Sequence, residues 1–140
     1  MTKNTQVFLF LAWLVAIVST LGSLFFSEVM FFIPCTLCWY QRIAMYPLVF
    51  ILGQGLLGQE ARASAKIALP IAIVGWALAL YHTLLHAGII SEEAVPCSQG
   101  VPCSVKYIEW LGFISIPVLS LAGFSIIIAA LMLFLRRISR

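Results

Sequence analysis

Four long stretches with almost no charge decide most of what this chain can fold into. Val7–Phe26 runs 20 residues without a charge, Ile67–Ile90 and Trp110–Leu135 carry none, and Cys35–Leu57 carries only Arg42. Each reaches the roughly 20 residues that a helix needs to cross about 30 Å of hydrocarbon. Helices are expected because lipid-facing backbone must satisfy its own hydrogen bonds. With 63% hydrophobic and 9% charged residues, the chain has too little charge to cover a soluble domain of this size. The reading is all-α: an integral membrane four-helix bundle forming one domain over residues 1–140. Its spans fall at about 7–26, 37–57, 67–90 and 110–135, with no internal repeat or low-complexity run. Lys3 and the first apolar run have the look of a signal peptide. That run exceeds the usual core of roughly 7–15 residues and has no A-x-A-like site, so a retained helix is expected. The net charge of +3 is small and forms no basic stripe, which argues against nucleic acid as a partner.

An even number of spans places both termini on one side. That side carries Lys3, Arg62, Lys66, Arg136, Arg137 and Arg140, against only Arg42 and Lys106 on the other. The excess of cations makes the first side cytoplasmic. Loops at about 27–36 and 91–109 then face outward, and all four cysteines belong to that outer side. The outside is where disulfides persist, and an even count in two close pairs reads as a disulfide framework.

The first pair, Cys35 and Cys38, stands in Pro34-Cys35-Thr36-Leu37-Cys38, where the first outer loop enters span two. A C-x-x-C pair in or near a first helical turn is a redox geometry, because unpaired N–H groups and the helix dipole favour thiolate there. Proline before the first cysteine suits a helix start. The same spacing also serves zinc sites. Arg42 follows Cys38 by four residues and projects from the same helical face, about 6 Å deeper. A charge at the membrane edge costs up to roughly 2–3 kcal/mol if centred, so it tends to have a task. It can stabilise a Cys38 thiolate or a reduced quinone's oxygen, or it can snorkel to lipid phosphate.

The second pair, Cys97 and Cys103, is separated by five residues in a Pro- and Gly-shaped loop. It reads either as a structural clip or as an exposed, labile disulfide of the catalytic kind. His82 and His86, four residues apart near the outer end of span three, can hold a metal, set an imidazole beside a redox cofactor, or simply pack. His86 reads as an interface residue. Trp39, Tyr40, Tyr107 and Trp110 read as an interfacial aromatic belt. Pro47 and Pro117 lie inside spans, where they can kink helices and open space between them.

This constellation resembles the DsbB family of disulfide-forming membrane oxidases. The likeness rests on Cys35-Thr36-Leu37-Cys38-Trp39-Tyr40-Gln41-Arg42, on Tyr81-His82-Thr83-Leu84-Leu85 and on the Gly112–Pro117 opening of span four, and it covers nearly the whole chain. The short loops are similar to the BdbC-type members of bacilli. The resemblance implies a thiol:quinone oxidoreductase that reoxidises a thioredoxin-like, DsbA- or BdbD-like extracytoplasmic partner and reduces a membrane quinone, menaquinone in a bacillus-like host. It implies that Cys97 and Cys103 form the disulfide met by the partner, with Cys97 in the mixed disulfide. Cys35 would then meet Cys103, Cys38 beside Arg42 would contact the quinone, and His82 would lie near its ring. The second loop is much shorter between its cysteines than in the longest family members, which leaves open which of the two the partner attacks. Two rivals stand beside this reading: a vitamin K epoxide reductase-like enzyme running the opposite way, and a scaffold whose four cysteines hold zinc.

Overall fold

The computed structural model describes residues 2–31, 36–89 and 116–140. Cys35, Cys97, Cys103, Tyr107, Trp110 and the outer loop at about 91–109 lie outside the described residues. The described residues form four α-helices: α1 (Lys3–Leu24), α2 (Thr36–Leu57), α3 (Ala61–His86) and α4 (Ile116–Ser139). A π-helical turn, Phe25–Val29, extends α1, and the Met30 amide donates to the Phe25 carbonyl at 3.1 Å. Successive helices run antiparallel, and α1 packs on both α2 and α4 while α3 packs on the same two, which closes the ring. The fold is therefore the four-helix membrane bundle expected.

Lipid supplies little hydrophobic force between helices, so close van der Waals fit must hold them. Small residues supply that fit. On α3 the buried positions are Ala61, Ser64, Ala65, Ala68, Ala72, Gly75 and Ala79, a stripe at helical spacing. Larger side chains fill the centre, among them Leu9, Leu48, Leu52, Phe124, Ile127, Leu131 and Phe134. Gly75 receives the Phe124 ring, which occupies the space a side chain there would need. The Trp13 indole N–H crosses from α1 to the Val49 carbonyl of α2 at 3.0 Å. Val18, Phe50, Val74 and Ile67 stay exposed, as lipid-facing residues should.

Three of the helices are long and apolar enough to span a membrane by themselves: Lys3–Val29 including the π turn, Ala61–His86 and Ile116–Ser139, with mean hydropathies of 2.3, 1.8 and 2.6. The 22-residue α2 is the fourth member of the bundle. Its apolar character is diluted by Gln41, Arg42 and Gln54. The polar residues that weaken it as a span are partly those that build the site. Pro47 lies inside α2 and Pro70 inside α3, and Pro117 is the second described residue of α4. Pro70 removes the amide that the Lys66 carbonyl would otherwise accept from.

Antiparallel packing gathers Lys3, Arg62, Lys66, Arg136, Arg137 and Arg140 at one end of the bundle. Arg137 lies over the Phe8 ring, 5.0 Å from its centroid, and so ties the end of α4 to the start of α1. A cavity of about 290 Å³ at this end, lined by Lys3, Gln6, Val7, Leu9, Phe10, Gly55 and Leu56, stands a full helix length from the cysteine end.

Candidate functional site

The opposite end is where α1 finishes, α2 begins and α3 finishes. Cys38 lies in the first described turn of α2 and is half-buried. Gln41 and Arg42 occupy the next turn. His82 stands in the last two turns of α3, with His86 closing it.

Arg42 is half-buried, and its side chain turns toward α1. Its Nη2 donates to the Ser23 carbonyl at 3.0 Å, and its guanidinium lies over the Trp39 ring at 5.2 Å from the centroid. Both contacts are local anchors for a cation at a lipid boundary: a carbonyl dipole and an aromatic face. They hold the guanidinium within the protein instead of releasing it to lipid phosphate. One bond to Ser23 uses one of five guanidinium donors, so the group has further donors for an acceptor beside it. Trp39 and Tyr40 themselves are exposed on the helix surface.

Gln41 faces the other way, toward α3. Its amide Nε2 donates to His82 Nδ1 at 2.9 Å, and both side chains are buried. In an apolar interior such a bond is held tightly, because leaving either group unmatched costs about 1–3 kcal/mol. The amide therefore clamps α2 to α3 beside Arg42. The Thr83 hydroxyl, next in the chain, donates to the Ala79 carbonyl at 2.7 Å and stays within its own helix.

The structure thus places Cys38, Arg42 and His82 at one end of the bundle, with Arg42 directed to α1 and His82 joined to α2 through Gln41. Cys35, Cys97 and Cys103 lie outside the described residues. Among the described residues no three histidine, cysteine or acidic side chains gather as metal ligands around His82 and His86. Gln41 is the residue that sequence reasoning passed over. Its signal was present: an amide in an otherwise apolar stretch, three residues after Cys38 and hence on a neighbouring part of the same face.

One turn deeper than Arg42 lies Tyr46. Its hydroxyl and that of Thr20 on α1 are buried with no hydrogen-bond partner among the described residues. The paired levels Ser23–Arg42 and Trp13–Val49 put these two hydroxyls at similar depth in the α1–α2 seam. An unmatched buried hydroxyl is a net cost. Tyr46→Phe should therefore stabilise the bundle by about 1 kcal/mol, read as a later midpoint in denaturing-detergent titration of helical circular dichroism. An earlier midpoint would mean that the hydroxyl has a bonded partner in the membrane.

Residues 5–135 match the family model described as "Disulfide bond formation protein DsbB". The chain is 50% identical over 126 residues to "Disulfide bond formation protein C" of Bacillus subtilis, covering 90% of this chain and 91% of that protein. It is 40% identical over 136 residues to "Probable disulfide formation protein C" of Halalkalibacterium halodurans, covering 97% and 98%. It is 42% identical over 144 residues to "Probable disulfide formation protein" of Oceanobacillus iheyensis, covering 100% and 97%. No solved structure matches the chain.

Proposed function

The chain belongs to the DsbB family of disulfide bond formation proteins, multi-pass membrane disulfide oxidoreductases, and from that premise we propose that it passes electrons from a thioredoxin-like extracytoplasmic partner to a membrane quinone. The observation that carries the reading is that a C-x-x-C cysteine, Cys38, the anchored guanidinium of Arg42 and the buried imidazole of His82 all lie at the same end of a helical bundle.

In this reading the partner's dithiol exchanges with a Cys97–Cys103 disulfide, through a mixed disulfide with one of the two. The partner leaves oxidised, and Cys97 and Cys103 hold its two electrons as thiols. The same exchange then moves the pair to Cys35 and Cys38, whose disulfide opens as Cys97–Cys103 closes again. A quinone held at this end supplies a two-electron, two-proton acceptor that dissolves in the same lipid, menaquinone in a host like those of the relatives. Its carbonyl oxygens only accept hydrogen bonds, and the donor set here fits them: a guanidinium that cannot be deprotonated, and an imidazole. Arg42 would hold one oxygen and favour the charge that develops there. His82 would donate from its ring.

The excess of Lys and Arg at the opposite end supports a topology with that end and both termini cytoplasmic and the cysteine loops outside. That is the oxidising side, where a disulfide relay has substrates. The relatives are named for disulfide formation, which favours the oxidising direction over epoxide reduction.

Anaerobic titration of the purified protein with a reduced thioredoxin-like protein tests the reading. Quinone absorbance should fall by one quinone per partner disulfide formed. Normal cycling in quinone-free detergent, with no other acceptor, would sink it. A finer test is Arg42→Met. Losing a charge-assisted bond of about 1.5–3 kcal/mol should raise the KM for quinone about 10–100-fold, while exchange with the partner's thiols continues. Unchanged quinone kinetics would remove Arg42 from the mechanism.

A further inference from the structure

We propose that Gln41 is a positioning residue: it holds His82 in the tautomer that carries its proton on Nε2. The inference rests on the reading above, in which His82 serves the electron acceptor. An amide nitrogen has hydrogens to give and no lone pair to offer, so a 2.9 Å contact from Gln41 Nε2 requires His82 Nδ1 to accept. A neutral imidazole that accepts at Nδ1 must carry its hydrogen on Nε2. The two side chains are only 7% and 3% exposed, so water does not compete for either atom. With the amide turned as it is, Nε2 toward the ring, the opposite tautomer would set N–H against N–H inside the bundle.

Position adds a reason beyond packing. A core needing only to be filled at this level takes leucine, as Leu37 and Leu85 do nearby. Here the chain instead buries an amide and an imidazole, beside the arginine that is turned to the other neighbour. The clamp ties the α2 turn that bears Arg42 to α3, so guanidinium and imidazole keep a constant relation. Orientation of a ring by a bond to its far nitrogen is the usual means of fixing a histidine donor.

The chain has two histidines, so ¹⁵N-histidine spectra of the full-length protein are simple to assign with a His86→Asn control. Nitrogen–proton couplings report which ring nitrogen is protonated. Wild-type His82 should show protonated Nε2 and bare Nδ1. Gln41→Met, close in volume, should give a mixture, and Gln41→Glu should draw the proton to Nδ1. Quinone-reduction kcat should fall about tenfold in Gln41→Met, the equivalent of one lost hydrogen bond, with partner thiol exchange intact. Protonated Nδ1 in the wild type overturns the proposal. So does an unchanged tautomer in both variants, or a changed tautomer with unchanged kcat. If Gln41→Glu fails to fold, Gln41→Met decides. A wild-type protein that reduces no quinone at all would sink the functional reading instead, and the spectra would still judge the tautomer.

Discussion

Cys38→Ser will end turnover, lowering quinone reduction roughly ten-thousand-fold or more, as loss of a nucleophile that works within a unit does. An oxygen cannot form the disulfide that stores two electrons, and its proton is held too firmly for it to act as a thiolate does. Cys35 would then have no partner in its pair. The Cys97–Cys103 pair would still meet the reduced partner, so one equivalent of oxidised partner, or a trapped mixed disulfide, should form before the reaction stalls. The measurement is anaerobic quinone reduction beside mass spectrometry of the trapped species. Turnover comparable with the parent protein would show that electrons bypass Cys38. The bundle itself should survive, because Cys38 is half-buried at its end and serine is close in size.

The second large effect is structural. Gly75→Leu will separate α3 from α4 and cost about 3 kcal/mol, the upper part of the usual range for overpacking. A side chain at Gly75 would start inside the Phe124 ring, and that ring is fully buried with no free direction in which to turn. Even Gly75→Ala should destabilise. The gain in helix propensity is about 1 kcal/mol, and displacing a wedged aromatic ring costs at least as much. Shrinking the ring should restore the fit, so Gly75→Ala with Phe124→Leu should be more stable than Gly75→Ala alone. Gly22 is the control: among the described residues nothing lies within 4 Å of a Cβ placed there, so Gly22→Ala should be neutral or slightly stabilising. Denaturing-detergent unfolding of helical circular dichroism measures all four variants. A Gly75→Leu protein as stable as its parent would mean that the α3–α4 seam is looser than this packing requires.

Much of this was legible in the chain itself. Uncharged runs such as Val7–Phe26 announce membrane helices because length and composition alone set the cost of leaving water. Cys38 and Arg42 announce a site because a C-x-x-C and a buried-edge arginine are both rare and chemically purposeful. Even α2's weaker standing as a span follows from the same polar letters, Gln41, Arg42 and Gln54. Other features could not be read. Gln41 passed as an ordinary polar residue, since its meaning lies in His82, 41 positions away. Arg42 was placed by helical periodicity on the face of Cys38, and periodicity says nothing of the Ser23 carbonyl on another helix.

The amino-acid order therefore determined which segments enter the membrane, that they are helices, and which chemistry stands at one end. These depend on local quantities: hydropathy summed over a span, backbone bonds closed within one helix, spacing along one face. Only the tertiary structure decided which side chains meet across helices: Gln41 with His82, Arg42 with Ser23, Phe124 in the notch at Gly75. Such pairings depend on register and close approach between helices, and in lipid many registers bury similar apolar surface, so shape and a few hydrogen bonds choose among them.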